Sequence, residues 1–149
     1  LEQPGLAAVF NAPIDLLLES TTVVQPDLVI VRRARKHLVT RRAIEGVPDL
    51  VVEILSPSTR GQDQHLKRTA YAKHRIPEYW IVDLKDRVLT RYVLTEGRYA
   101  AEHYDDTETL SPETFPGLAV PLVKIFPQIA QTEAKPVPES DNQADPEPG

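Results

Sequence analysis

Inside the run "LVVEIL", residues 50–55, Glu53 is the one group that is not apolar. An ionised carboxylate in a buried strand loses on the order of several kcal/mol of solvation unless a cation or hydrogen bonds compensate it. Side chains alternate along a strand, so Val51, Glu53 and Leu55 share a face, and the fold must bring a partner to that face. Asp27, in the earlier run "QPDLVIV", is a second carboxylate that repels Glu53 unless a divalent cation lies between them. Lys67 is a cation on the segment that follows, with Asp63 four residues before it and Tyr71 four after, one stripe of a helix. Alone, Asp63 and Lys67 are an ordinary surface pair worth about 0.2–0.5 kcal/mol. Glu53 alone reads as half of a structural ion pair. Together, two acids on adjoining strands can hold one Mg²⁺ through hard oxygen ligands, and a nearby lysine can orient water or stabilise charge at phosphorus. That is the minimal equipment for metal-assisted phosphodiester hydrolysis.

The elements that must position these groups are readable in outline. Residues 9–18 ("VFNAPIDLLL") and 23–31 ("VVQPDLVIV") are β-branched runs that predict two strands, with Pro26 tolerable at a strand start. Residues 49–56 form a continuous apolar run between Pro48 and Pro57, the pattern of a central strand buried on both faces. A helix follows over about 60–75, capped by Ser58 or Thr59 and ended by Pro77, with Leu66, Ala70 and His74 recurring at helical spacing. The next strand, 78–84, then pairs parallel to the central one through a crossover. "RVLTRYVL" and "RYAAEHY" alternate in period two and predict an antiparallel meander. The expectation is a mixed α/β domain over residues 1–130, closed by "FPGLAVPLVKIF" with a short helical end. An acidic, proline-rich disordered tail follows over 131–149.

The chain has 149 residues, 41% of them hydrophobic and 26% charged, which is globular usage for one domain. No apolar run approaches the roughly 20 residues that cross a bilayer, and the absence of cysteine fits a reducing compartment, so the cytoplasm is the expected location. The net charge of −5 is unevenly placed. Residues 32–75 hold eleven Lys or Arg against four acids, a balance of +7, leaving −12 for the rest. The basic segment after the Asp27 strand, with Arg32, Arg33, Arg35, Lys36, Arg41 and Arg42, is expected as a loop with at most a helical turn, lying where a nucleic-acid backbone can meet it. The same charges also suit a solvated loop. Histidines 37, 65, 74 and 103 lack paired zinc spacing, the serines form no nucleophile elbow, and there is no glycine-rich phosphate loop. Tyr79 and Trp80 read as sheet packing.

On these residues the sequence resembles the Uma-type family of restriction-endonuclease-like nucleases, within the PD-(D/E)xK superfamily, over about residues 12–126. The carriers are "QPDLVIV", "PDLVVEILSPST" with Glu53 and Ser56, "DQHLKRTAY" with Asp63, Lys67 and Tyr71, "IPEYWIVD" and "FPGLAVPL". The resemblance implies a restriction-endonuclease core and a Mg²⁺- or Mn²⁺-dependent endonuclease. Asp27, Glu53 and the backbone carbonyl of Ile54 would be the ligands, Lys67 the catalytic cation, and Asp63, Ser56 and Tyr71 the supporting residues. Leu55 stands where the superfamily usually has its lysine; the resemblance moves that role to Lys67. Asp49, the other acid after a proline, is read as a decoy. Members usually begin with helices and a strand ahead of the region matched here, so an N-terminal helical part is expected to be missing. The implied partner is nucleic acid, DNA in the first place; this fold often cuts duplexes as a homodimer, and the oligomeric state is left open by the sequence. The alternative is an inactive module of the same fold that binds nucleic acid or a protein through the 32–42 loop.

Overall fold

Proline decides where the first half of the chain breaks. The computed structural model describes residues 6–55 and 62–126, the side chains of residues 62 and 63 excepted. In place of two strands, four form: β1 (Ala7–Asn11), β2 (Asp15–Glu19), β3 (Thr22–Val24) and β4 (Leu28–Arg32). Pro13 and Pro26 fall in the gaps, where a residue without an N–H cannot continue a ladder. After a 3-10 segment over Arg33–Leu38 come β5 (Ala43–Glu45), β6 (Leu50–Leu55), helix α1 (Gln62–Lys73), β7 (Glu78–Asp83), β8 (Val88–Thr95) and β9 (Arg98–Asp105). Two short strands, β10 (Thr109–Leu110) and β11 (Val120–Pro121), pair near the end. Ser56, the expected cap at Ser58 or Thr59 and the 131–149 tail lie outside the described residues.

The main sheet runs β1-β4-β6-β7-β8-β9. β6 and β7 are parallel, as the intervening helix requires, and every other neighbouring pair is antiparallel. Because side chains alternate, the sheet has two apolar faces. Leu50, Val52, Trp80, Val82 and Leu89 pack under Leu110, Phe115, Leu122 and Phe126 of the closing segment. Val29, Val31, Val51, Tyr79 and Ile81 pack against Leu16 and Ile44 of the small β3-β2-β5 sheet and against Tyr71 and Ile76. Each fully buried large apolar side chain contributes about 1.5–3 kcal/mol, so these two layers fix the register of β6. Glu53 is the last buried position of that strand; Ile54 is already exposed. The carboxylate therefore stands at the rim of the core.

Two other buried acids show how this fold treats a carboxylate that serves structure. Glu78 accepts the indole N–H of Trp80 (2.9 Å), the hydroxyl of Thr114 (2.8 Å) and the backbone N–H groups of Glu113 and Thr114 (3.3 and 3.0 Å), tying down the segment before Phe115. Asp49 accepts the backbone N–H of Arg32 (2.7 Å) and the Arg35 guanidinium (3.0 Å), holding the 3-10 segment on the sheet. Asp49→Ala is expected to cost about 1–3 kcal/mol in urea unfolding, because it leaves the part-buried N–H of Arg32 without its acceptor, while leaving any response to divalent metal unchanged. Loss of the metal response in that variant contradicts its assignment as an anchor.

Candidate active site

The register Leu28↔Val52 between β4 and β6, carried one step further, sets Asp27 opposite Glu53. Opposed residues of an antiparallel pair project to the same face, so both carboxylates stand on the side covered by α1. Asp27 Oδ2 accepts the backbone N–H of Ile54 (2.7 Å). The carbonyl of a strand residue leaves on the same edge as its N–H, so Ile54 presents its oxygen to the Asp27 side.

The helix presents Lys67 and Tyr71 to the sheet, four residues apart on one stripe. The Tyr71 hydroxyl donates to Glu53 Oε1 (2.7 Å) and Lys67 Nζ to Oε2 (3.3 Å). The expected apolar stripe is one residue out of phase with this: Leu66 is 61% exposed, whereas Tyr71 is fully buried. Tyr71 has more apolar area to hide than Leu66, and a helix rotated to bury it also brings the Lys67 ammonium to Glu53. Glu53 is 6% exposed, whereas the Lys67 side chain keeps 27%. Lys67 thus links a buried acid to a cleft of about 640 Å³ lined by Val23, Val24, Gln25, Leu66, Lys67 and Ala70.

Burial raises the pKa of Glu53 above the usual 4.5; the Tyr71 hydrogen bond and the Lys67 charge oppose this, and the Asp27 charge adds to the rise. Burial first, then Glu53, also pushes the Tyr71 hydroxyl up, so it stays a donor. Unlike Asp49 and Glu78, Glu53 accepts no backbone N–H among the described residues; side chains alone hold it. Tyr71→Phe removes the strongest opposing influence. It is therefore expected to move the ionisation of Glu53 to higher pH, followed by carbon NMR of the carboxyl group, and to destabilise the fold by about 1–3 kcal/mol through the buried oxygen left without a donor. An unmoved titration contradicts the contact.

These residues fit a small hard cation. Two carboxylates and a carbonyl on adjoining strands supply oxygen ligands alone, and Mg²⁺ typically takes one or two carboxylates and completes its shell with waters and substrate phosphate. Among the described residues no group of three or more His, Cys, Asp or Glu forms a denser cluster. Two like charges on opposed residues, one of them buried, are an arrangement a divalent ion relieves.

The other expected site residues are placed as follows. The Asp63 side chain and Ser56 lie outside the described residues. The basic segment is not beside Asp27. It leaves the far end of β4, five residues and so roughly 17 Å along the strand from Asp27, next to the start of β6 and not its end. The antiparallel run of β4 against β6 forces this. There Arg32 contacts Asp49 (3.5 Å), the Thr114 carbonyl and the Phe115 ring, and Arg35 donates to Asp49 and the Val47 carbonyl (2.6 Å). Arg33, Lys36, Arg41 and Arg42 are exposed. Sequence reasoning passed over Arg68, which α1 presents to the Tyr92 ring (5.6 Å), and no periodicity marks it out.

Comparison with known proteins bears on this geometry. The sequence matches the family model Uma2, described as "Putative restriction endonuclease", over residues 1–123. Among solved structures it is similar to one titled as a putative nuclease belonging to DUF820 from Anabaena variabilis. The two share 19% identity and a TM-score of 0.63, over 82% of this chain and 69% of that one. No curated protein matches it. The fold is thus the expected one: a mixed α/β, restriction-endonuclease-like core with a C-terminal antiparallel meander. No helix among the described residues is long and apolar enough to cross a membrane.

Proposed function

This chain belongs to the Uma2 family of restriction-endonuclease-like proteins, and from that premise we propose that it is a metal-dependent endonuclease hydrolysing phosphodiester bonds of nucleic acid, DNA in the first place. The observation that carries this reading is Glu53: a buried acid opposite a second acid, held among the described residues by Tyr71 and Lys67, the latter lining an open cleft. Asp27, Glu53 and the Ile54 carbonyl would hold Mg²⁺ or Mn²⁺. When bound there, such an ion lowers the pKa of water and neutralises charge on a phosphate.

This chain's own residues do the rest. Tyr71 keeps Glu53 in one rotamer. Lys67 places its ammonium against a non-bridging phosphate oxygen or the attacking water, and Asp63 and Ser56 keep the supporting roles that the family resemblance implies. The water oxygen forms the new bond to phosphorus, its proton passes to solvent, and the ester bond to the leaving sugar oxygen breaks as that oxygen takes a proton. Cutting both strands of a duplex needs two such centres, supplied by a homodimer, and the lack of cysteine suits work in the cytoplasm. The exposed Arg33, Lys36, Arg41 and Arg42, with Arg32 and Arg35 behind them, would contact the nucleic-acid backbone away from the cut. They also support the second reading, an inactive module that binds nucleic acid or a protein partner through this segment.

Plasmid nicking separates the two. With millimolar Mg²⁺ the protein should convert supercoiled to open-circular DNA, and chelator or Asp27→Asn should stop it. Cleavage that persists in Asp27→Asn, or binding with no cleavage under any divalent ion, overturns the nuclease reading.

A further inference from the structure

We propose that the cleft between α1 and the β8–β9 hairpin, and not the basic 32–42 segment, holds the phosphates of the nucleic-acid strand next to the cleavage centre; this rests on the nuclease reading above. The cleft has a volume of about 540 Å³, and Arg68, Ala72, Tyr92, Arg98, Tyr99 and His103 are among the residues lining it.

Its place relative to the two carboxylates comes from the register. Glu53 pairs with Ile81, Ile81 with Thr90, and Thr90 with His103, one row across four strands. Three strand spacings put His103 roughly 14 Å from Glu53 on the same face of the sheet. Along one strand of a duplex that length holds about four phosphates, at ~3.4 Å of axis each. The Thr90 hydroxyl and His103 Nδ1 lie 3.0 Å apart, which fixes the ring in that row. Above it, Arg68 follows Lys67 on the helix.

Arg68 differs from the other arginines that contacts hold in place. Arg32 and Arg35 meet Asp49, Arg87 meets Asp106, and Arg91 meets Glu102. Among the described residues Arg68 meets no carboxylate. Its guanidinium lies over the Tyr92 ring, donates to the Tyr92 hydroxyl (3.2 Å) and stands 3.3 Å from His65 Nδ1. An arginine pinned on an aromatic face, with its charge unneutralised and its edge in an open cleft, is pre-organised for phosphate. Tyr92 is itself stacked on the buried Tyr79 (5.6 Å), which holds the platform in place. The ligand this chemistry selects is the sugar-phosphate backbone, read without sequence.

The test is fluorescence anisotropy of labelled random-sequence duplex DNA at several salt concentrations, without divalent metal, so that cleavage plays no part. Arg68→Ala and Arg98→Ala should each weaken binding and lower the slope of log affinity against log salt by about one, the value for one lost phosphate contact. Arg41→Ala and Arg42→Ala should change it less. Arg98 is exposed at the hairpin end, so its variant reads the cleft even where Arg68→Ala loosens the packing on Tyr92. Wild-type slope and affinity in both cleft variants, or a larger loss in the 41–42 variants, overturns the proposal. So does a wild type with no salt-dependent binding. Normal cleft dependence in a protein that never cuts DNA leaves this inference standing and removes the nuclease reading alone.

Discussion

Glu53→Gln is expected to lose metal-dependent cleavage by at least about 10³-fold, since a metal ion contributes several kcal/mol to phosphoryl transfer, and yet to melt no lower than the wild type at pH 8. The second half follows from proton linkage. Burial raises the pKa of Glu53 in the folded chain above 4.5, so the folded state binds this proton more tightly than the unfolded state does. Stability then falls as pH rises from the unfolded value through the raised folded one, and above the latter the whole penalty of the buried charge is present. Glutamine removes that charge and still offers an oxygen to the Tyr71 hydroxyl, while Lys67, partly exposed, returns to water. The melting-temperature difference between variant and wild type should thus turn in favour of the variant as pH rises from 5 to 8. A variant that melts lower at pH 8 than at pH 5, relative to wild type, makes Glu53 a structural ion-pair partner and removes its catalytic assignment.

Lys67→Ala should lower the turnover number by about 10²- to 10³-fold, the usual cost of losing one pre-placed charge at a transition state, while KM and the response to metal at pH 8 change little. The ammonium touches Glu53 but is no ligand, so metal binding survives its removal once pH keeps Glu53 ionised. The acid side of the pH–rate profile should move up, because Lys67 is one of the influences that hold the Glu53 pKa down. Single-turnover kinetics on a defined duplex read both effects. A raised KM with an unchanged turnover number assigns Lys67 to binding alone.

The contacts of Glu53 with Lys67 and Tyr71 were legible in the sequence because strand physics carried them. One acid inside "LVVEIL" needs a partner, a parallel crossover fixes α1 over β6, and i, i+4 spacing joins Lys67 to Tyr71. What escaped was three-dimensional. Whether Leu66 or Tyr71 turns inward depends on which side chain has more area to bury, and the helical pattern fits either phase. The distance between Asp27 and the basic segment follows from the length of β4, and a run of charge says nothing about which end of a strand it leaves. Two strands became four because prolines inside apolar runs read equally as strand starts or strand breaks. Arg68 carries no mark in the chain, since its neighbours Tyr92 and His103 are brought to it only by the meander. Asp49, read as a decoy, satisfies the backbone of Arg32.

Calorimetric titration with Mn²⁺ at pH 8 puts the pair of carboxylates to the test without any substrate. The wild type should take up one ion per chain, and both Asp27→Asn and Glu53→Gln, each still folded, should lose that binding. Equal uptake by the wild type and the two variants, or none by the wild type, would contradict a metal held between β4 and β6.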